Sequence, residues 1–257
     1  MNSLSTLALS CLLFISAQVS SSSLLQVEVK QANVNLSYDV APRLSQVLID
    51  AYKYTPYTPY QLGSSLINTT SKAQQKILKE KLQLAEKLKS ILGREAQNLS
   101  NILNELILVN RINLNLDLET IQLNAKLNPL LKGQYILSLP QRPNYILLID
   151  PLSQQKIIKL PLKPGRTFKH YLSDYLNNDK PNDSDNIEQF KQANGYQKFH
   201  IIQADKKSII PITGYWNNNQ YYLSPGAMIF VNLNANIQEA EQINQQFIEL
   251  LKYYVAY

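Results

Sequence analysis

The chain has 257 residues, 45% of them hydrophobic and 17% charged, with 16 tyrosines, one tryptophan, one cysteine and a formal charge of +6. That balance excludes a disordered chain and provides for a real core, and no run approaches the ~18 to 20 apolar residues of a membrane-spanning helix. With Cys11 the lone cysteine, an internal disulfide framework is excluded, and if the leader that holds it is removed, so are thiolate metal sites and cysteine catalysis.

The longest apolar run, "LALSCLLFISA" (residues 7–17), has the length of the apolar part of a secretory signal, and small residues follow it in "SAQVSSSS". It predicts a cleavable signal peptide over residues 1–17 and export; a buried first helix is the alternative. Cys11 lies inside the run instead of after it, which argues against lipidation. "LLQVEVKQANVNLSYDV" then alternates at Val27, Val29, Val34 and Leu36, as one half-buried strand or a hairpin. "APRLSQVLIDAYK" reads as a helix, with Pro42 in its first turn and Leu44, Val47 and Leu48 on one face. "YTPYTPYQLGSS" is extended and punctuated by proline.

Residues 72–110 change to a helical period, with a stripe at Leu78, Leu82, Ala85, Leu88 and Leu92 and a second at Leu99, Ile102 or Leu103, and Leu106. Gly93 lies between the halves, so the segment is one long helix or, as favoured here, a helical hairpin. Strict alternation returns in "RINLNLDL" at Ile112, Leu114, Leu116 and Leu118, and "GQYILSLPQRPNYILLIDPL" supplies two strands around a proline-bounded turn. "QQKIIKLPLKPGRTFKHYLSDYL" predicts a strand, a turn at Pro164 and Gly165, and a helix through Tyr175. The polar stretch "NNDKPNDSDN" is a loop by composition. "FHIIQADKKSIIPITGYW" is a hairpin turning at "ADKK", and "SPGAMIFVNL" is a turn and an apolar strand. Last comes an amphipathic helix with Ile237, Ala240, Ile243, Phe247, Leu250 or Leu251, and Tyr254 in its stripe, which packs on its own domain or docks on a partner or membrane surface. The order strand pair, helix, connection, strands occurs twice. It predicts an α+β fold of two small domains, residues 24–150 with the helical segment interrupting them and residues 151–235, followed by a terminal helix at 236–257.

Signatures of catalysis are not evident: the chain holds no phosphate loop, GxGxxG, HExxH or GxSxG. His170 and His200 fall on a helix and a strand, so a metal pair would need a tertiary coincidence, and Asp179, Asp183, Asp185 and Glu188 lack the glycine and spacing of a calcium loop. The expectation is a protein that is not an enzyme and carries no cofactor or metal. Seven cations crowd residues 72–94 (Lys72, Lys76, Lys79, Lys81, Lys87, Lys89, Arg94) against Glu80 and Glu86. This is a solvated helix face or a surface for an anionic glycan, a lipid headgroup or an acidic partner. Tyr215 and Trp216, before the Gly226 turn, are hairpin-packing residues or a platform for a sugar.

The stretch "LNPLLKGQYILSLPQRP" carries Asn128, Pro129, Leu131, Gly133, Tyr135, Leu137, Leu139, Pro140, Arg142 and Pro143 in an order that resembles the GfcC-like capsule biosynthesis family. A "YW" ahead of a "PG" turn, an apolar strand and a closing "N.Q...LL" helix resemble the same family's last domain. The resemblance implies two β-grasp domains related to those of Wza-type polysaccharide exporters, the first with a helical insertion, and a C-terminal amphipathic helix. It implies an exported, periplasmic, non-catalytic accessory protein of capsule or exopolysaccharide biosynthesis or export, with no catalytic residues to carry over. Its partners would be export or assembly proteins, including an outer-membrane exporter, or an anionic polysaccharide, and not nucleic acid; the terminal helix could touch a membrane. A polysaccharide hydrolase or lyase is the alternative. Trp216, Tyr215, Arg142, Lys72, Lys76, Lys79 and Lys87 are the candidate glycan or partner contacts.

Overall fold

The computed structural model describes residues 23–69, 71–152, 157–178, 198–213, 220–234 and 236–255. The segment expected to be a signal peptide, the stretch expected to be an acidic loop with Asp179, Asp183, Asp185 and Glu188, and Gly214, Tyr215 and Trp216 lie outside the described residues.

Two five-stranded sheets form the α+β architecture. The first contains β1 (Leu25–Val29), β2 (Val34–Tyr38), β3 (Ser65–Asn68), β4 (Arg111–Ile112) and β5 (Gly133–Ser138), in the order β2-β1-β5-β3-β4. The second contains β6 (Tyr145–Ile149), β7 (Ile157–Pro161), β8 (Lys198–Ile202), β9 (Ile209–Thr213) and β10 (Met228–Val231), in the order β7-β6-β10-β8-β9. Counted within each unit, both orders are 2-1-5-3-4, and in both the first and last strands pair parallel while the other pairs are antiparallel. Each sheet carries a helix between its second and third strands, α1 (Leu44–Tyr52) in one and α5 (Phe168–Asn178) in the other. Both units are β-grasp-like, and the repeated order read from the sequence is a repeat of topology.

Local chemistry accounts for the elements. The β1–β2 segment is a hairpin whose bend uses Asn33 at φ 52°, a left-handed conformation that asparagine tolerates. α1 begins two residues after Pro42, and its N-cap residue, Arg43, offers no side-chain bond. The cap comes from the NP motif instead: Asn128 Oδ1 accepts from the Ser45 amide at 2.9 Å, and its Nδ2 donates to Ser45 Oγ at 2.9 Å. The second half of the motif enters β5, where Leu137 is buried, and Leu139 just beyond it is buried too.

The helical segment is a hairpin, α2 (Ser71–Ser90) and α3 (Arg94–Glu105), broken at Gly93 with φ 137°. The stripe expected on α2 holds at Ala85 and Leu88 but not at its other three leucines. Ile77, Leu84, Ala85 and Leu88 face inward, whereas Leu78 (46%), Leu82 (63%) and Leu92 (97%) are exposed. Within α2 both sets fall on helical spacings of one or two turns, and the surface the helix packs on selects between them. That surface belongs to the second unit. One core joins α2 and α3 to Leu147, Ile149, Ile202, Met228 and Phe230 of the second sheet and to Ile243, Phe247 and Leu251 of α6 (Ala240–Leu251). The expected apolar residues of α6 are therefore spent inside the molecule, with Phe247 stacked on Phe230 at 4.9 Å.

Two further expectations need correction. β6 lies in the second sheet, between β7 and β10, so the boundary between units is the 139–144 linker and not residue 150. "RINLNLDL" is not a continuous strand: β4 covers two residues, and Asp117 caps the short α4 (Leu118–Leu123) by accepting from the Thr120 amide at 3.1 Å. Its leucines still turn to the first core, Leu116 buried and Leu114 and Leu118 half-buried.

Candidate functional site

The two units meet around the linker, and the tyrosine-proline segment at 54–60 explains how. The Tyr57 hydroxyl donates to the Leu139 carbonyl at 2.8 Å, and the Tyr60 amide donates to the Pro140 carbonyl at 2.8 Å. Gly63 lets Tyr60 and Pro140 close in, since a Cβ there would stand 2.9 Å from the Tyr60 ring and 3.2 Å from Pro140. On the other side, Gly226 (φ 75°) donates its amide to the Tyr145 carbonyl at 2.8 Å, and a Cβ on it would meet Pro143 at 3.2 Å. A proline of the linker is thus clasped by each unit. The stretch after α3 adds a second tie, as Val109 donates its amide to the Tyr253 carbonyl at 2.9 Å and Leu108 bridges Tyr254.

These ties leave a groove between the units, about 730 Å³ in volume, within the ~300–1,000 Å³ common for ligand sites. Gln61, Ser64, Arg111, Asn113, Asn115 and Asp117 line it from the first unit; Asp205, Lys206 and Lys207 line it from the β8–β9 turn, and Lys252 and Tyr253 from the end of the chain. A smaller pocket of about 80 Å³ shares Arg111 and Lys206 and is walled by Tyr60, Tyr145 and Tyr254.

Lys206 stands out electrostatically. It occupies a left-handed turn position at φ 61°, with its ammonium over the Tyr254 ring at 5.6 Å. Its side chain opens on the groove, so it is only half-buried, yet protein surrounds it on most sides. Burial first, and then the positive charge of Arg111, pull its pKa from 10.5 to about 7; Asp205 opposes the shift. Asp205 is committed to its own turn. Its oxygens accept from the Lys207 amide at 2.9 Å, the Ser208 amide at 3.0 Å and the Ser208 hydroxyl at 2.8 Å. Burial raises its carboxyl, but those bonds together with Lys207 outweigh it and hold the pKa below the ordinary carboxylate value. Arg111 donates to the Ser64 carbonyl at 3.4 Å. The Tyr60 hydroxyl is sealed from solvent without a bond of ordinary geometry. Ser224 lies close enough to favour its ionised form, but the serine donates to Gln203 Oε1 at 2.7 Å and accepts from the Ala204 amide at 2.9 Å.

The candidates read from the sequence are not brought together. Arg142 is exposed on the linker, where its charge acts on Tyr60. Lys72, Lys76 and Lys79 are exposed on α2, Lys76 being 3.9 Å from Glu80. Lys87 is a structural tie to α6: it pairs with Glu239 and donates to Gln242 at 2.7 Å. Lys81 is likewise internal, donating to the Asn104 and Leu106 carbonyls at 3.1 and 2.9 Å. Arg111, Lys206, Tyr60 and Tyr254 were missed because no local pattern joins residues from different units. The one hint was the tyrosine- and proline-rich "YTPYTPY", whose Tyr57 and Tyr60 bond the linker. Among the described residues no group of three or more His, Cys, Asp or Glu side chains could hold a metal ion. His200 Nδ1 lies 2.8 Å from Asn232 Oδ1, and His170 Nδ1 lies 3.0 Å from Thr167 Oγ1.

A search of curated proteins gives no match. Two family models do match: the N-terminal domain of capsule biosynthesis GfcC over residues 21–142, and its C-terminal domain over residues 156–256. The break between them falls beside the linker that the two units clasp. With both domains matched in order over most of its length, the chain belongs to the GfcC capsule biosynthesis family.

Proposed function

We propose that the protein is an exported, periplasmic, non-catalytic accessory factor of capsule or exopolysaccharide assembly, working by contact with polysaccharide or with an export protein. Membership of the family supports the capsule role. The observation that carries the mode of action is the groove between two β-grasp-like units that linker, hairpin and C-terminal end hold together. A braced groove of this kind suits a scaffold that holds a chain or a partner in register.

The competing reading, a hydrolase or lyase, draws on Asp117 and Asp205, the two carboxylates on the groove walls. Glycoside hydrolysis needs one carboxyl raised enough to act as an acid. Asp205 is held in the opposite direction by its own turn, and Asp117 caps α4, which weighs against that reading.

Surface polysaccharide on a clean deletion strain, with a plasmid-borne copy restoring the gene, tests the proposal. Loss or mislocation of the polymer, recovered on restoration, is expected; unchanged amount and chain length at the surface would sink it. Fractionation of the tagged protein checks the periplasmic assignment. New reducing ends on mixing pure protein with capsule would overturn the non-catalytic part.

A further inference from the structure

The outer face of α2 is turned away from α3, α6 and the second sheet, and it combines exposed leucines with lysines. At about 100° per residue, Leu78, Leu82 and Lys89 fall within about 40° of arc, and Lys79 and Lys72 lie within about 80° beyond them, away from the core. From Leu78 to Lys89 this strip is about 16 Å long, and Leu92 projects from the tip of the hairpin just past it. A single surface leucine is ordinary; three beside a row of cations form a second amphipathic pattern on a helix whose first pattern is spent on the core.

The cations divide in the same way. Lys81 and Lys87 serve the fold, on the Asn104 and Leu106 carbonyls and on Glu239 and Gln242. The other five, Lys72, Lys76, Lys79, Lys89 and Arg94, are exposed, and among the described residues only Lys76 has an acid within ion-pair distance, Glu80 at 3.9 Å. Against Glu80 and Glu86 they leave three positive charges on this side of the hairpin. Their placement does little for the helix itself. Lys72 stands in a first turn that holds no acid, where the helix dipole opposes a cation. Lys76 has like charges four residues before it and three after it, a spacing at which they repel. The face is complementary to an anionic surface outside the chain.

The leucines decide which surface. An acidic polysaccharide answers the charge but has no apolar phase to receive Leu78 and Leu82, whereas the headgroup region of a bilayer offers both. The face is the convex side of a helix, and none of its residues lines the groove or the inner pocket. A protein partner would need a cleft shaped to it. A lipid surface needs none, because lysine stems lie along the apolar boundary and leave their ammonium groups among the phosphates. We infer that α2 lies on an anionic phospholipid surface, with Leu78, Leu82 and the tip residue Leu92 entering between headgroups and Lys72, Lys79 and Lys89 pairing with lipid phosphates. The apolar stripe of α6 is buried in the shared core, so α2 and not the terminal helix carries this contact. The inference goes beyond the proposed capsule role and does not rest on it.

Flotation of the mature protein with vesicles of phosphatidylcholine, alone or with about one-third phosphatidylglycerol, tests this. The acidic vesicles should bind at least about tenfold more tightly, and should lose most of that advantage at about 1 M salt, where charge is screened within ~3 Å. A lysine near such a surface contributes about fivefold, so Lys79→Gln with Lys89→Gln should lose about twenty-five-fold. Lys126→Gln with Lys169→Gln removes the same charge beside α4 and on α5, and should change binding little. Leu78→Ser with Leu82→Ser should melt close to the parent, since both leucines are exposed, and should bind about tenfold more weakly or worse. Equal binding to both vesicles, or as large a loss in the Lys126 and Lys169 pair, overturns the site. Unchanged affinity in the leucine pair reduces the effect to plain charge attraction and overturns the bilayer contact. Polyglutamate binding as tightly as the acidic vesicles, with the same need for the leucines, overturns the lipid assignment in favour of an acidic protein.

Discussion

The two units share one topology and differ in how their sheets are covered. In the first, α1 and α4 cover one face, and β1 runs buried, exposed, buried, half-buried, buried. In the second, α5 covers one face and α2, α3 and α6 cover the other, so the four residues of β10 are all buried, as are the last four of β6. The sequences follow suit: "LQVEV" alternates, whereas "YILLI" and "MIFV" are continuous apolar runs, the pattern of strands buried on both faces. Part of the cover for the second sheet, α2 and α3, comes from the first unit. Between the third and fourth strands the first unit inserts α2 and α3, whereas the second turns back within residues 203–208. One unit's insertion is the other's missing layer, and the short turn places Lys206 at the groove.

Replacing residues 70–109 with a short turn like that at 203–208 is the strongest way to break this comparison. It would strip α2 and α3 from the face of Leu147, Ile149, Met228 and Phe230. Loss of the cooperative melting transition and self-association in sedimentation are expected; a monomer melting as the parent does would show that the second unit needs no borrowed layer. Next is Phe230→Ala, which empties a fully buried site against Phe247 and should cost about 3–5 kcal/mol in urea unfolding. Leu25→Ala in the first core should cost less, about 2–3 kcal/mol.

Two glycines sharpen the account of the linker. Gly226 and Gly165 have almost the same φ, 75° and 73°, but only Gly226 has Pro143 against the place of a Cβ. Gly165→Ala should cost about 1 kcal/mol and Gly226→Ala about 2–3 kcal/mol, the difference measuring the clasp. The last effect is confined to a pH range and concerns Lys206. Its folded pKa of about 7 lies below the ~10.4 of an unfolded lysine, so the unfolded chain binds more protons between those values. Its penalty is fully present below pH 7 and fades toward pH 10. Lys206→Met should therefore stabilise the protein by about 1–2 kcal/mol at pH 6 and by little at pH 10, read from paired melting curves.

Much of this architecture was legible in the residues. Alternation or continuity of apolar residues marked the strands, Gly93 marked the break between α2 and α3, and Pro164 with Gly165 marked the turn before α5, because these signals act within a few residues. The stripe of α6 was legible for the same reason. Long-range contact decided the rest. Leucines lie on two faces of α2, and only the second sheet and α6 select Ile77, Leu84 and Leu88 over Leu78 and Leu82. β6 follows β5 after six residues, yet a linker with two prolines and a tyrosine clasp sends it to another sheet. Arg111 and Lys206 look like ordinary surface cations in the sequence, and they share a groove because two separate units fold and are then held together. Periodicity records what each segment buries, whereas the meeting of distant charges depends on how the finished units pack.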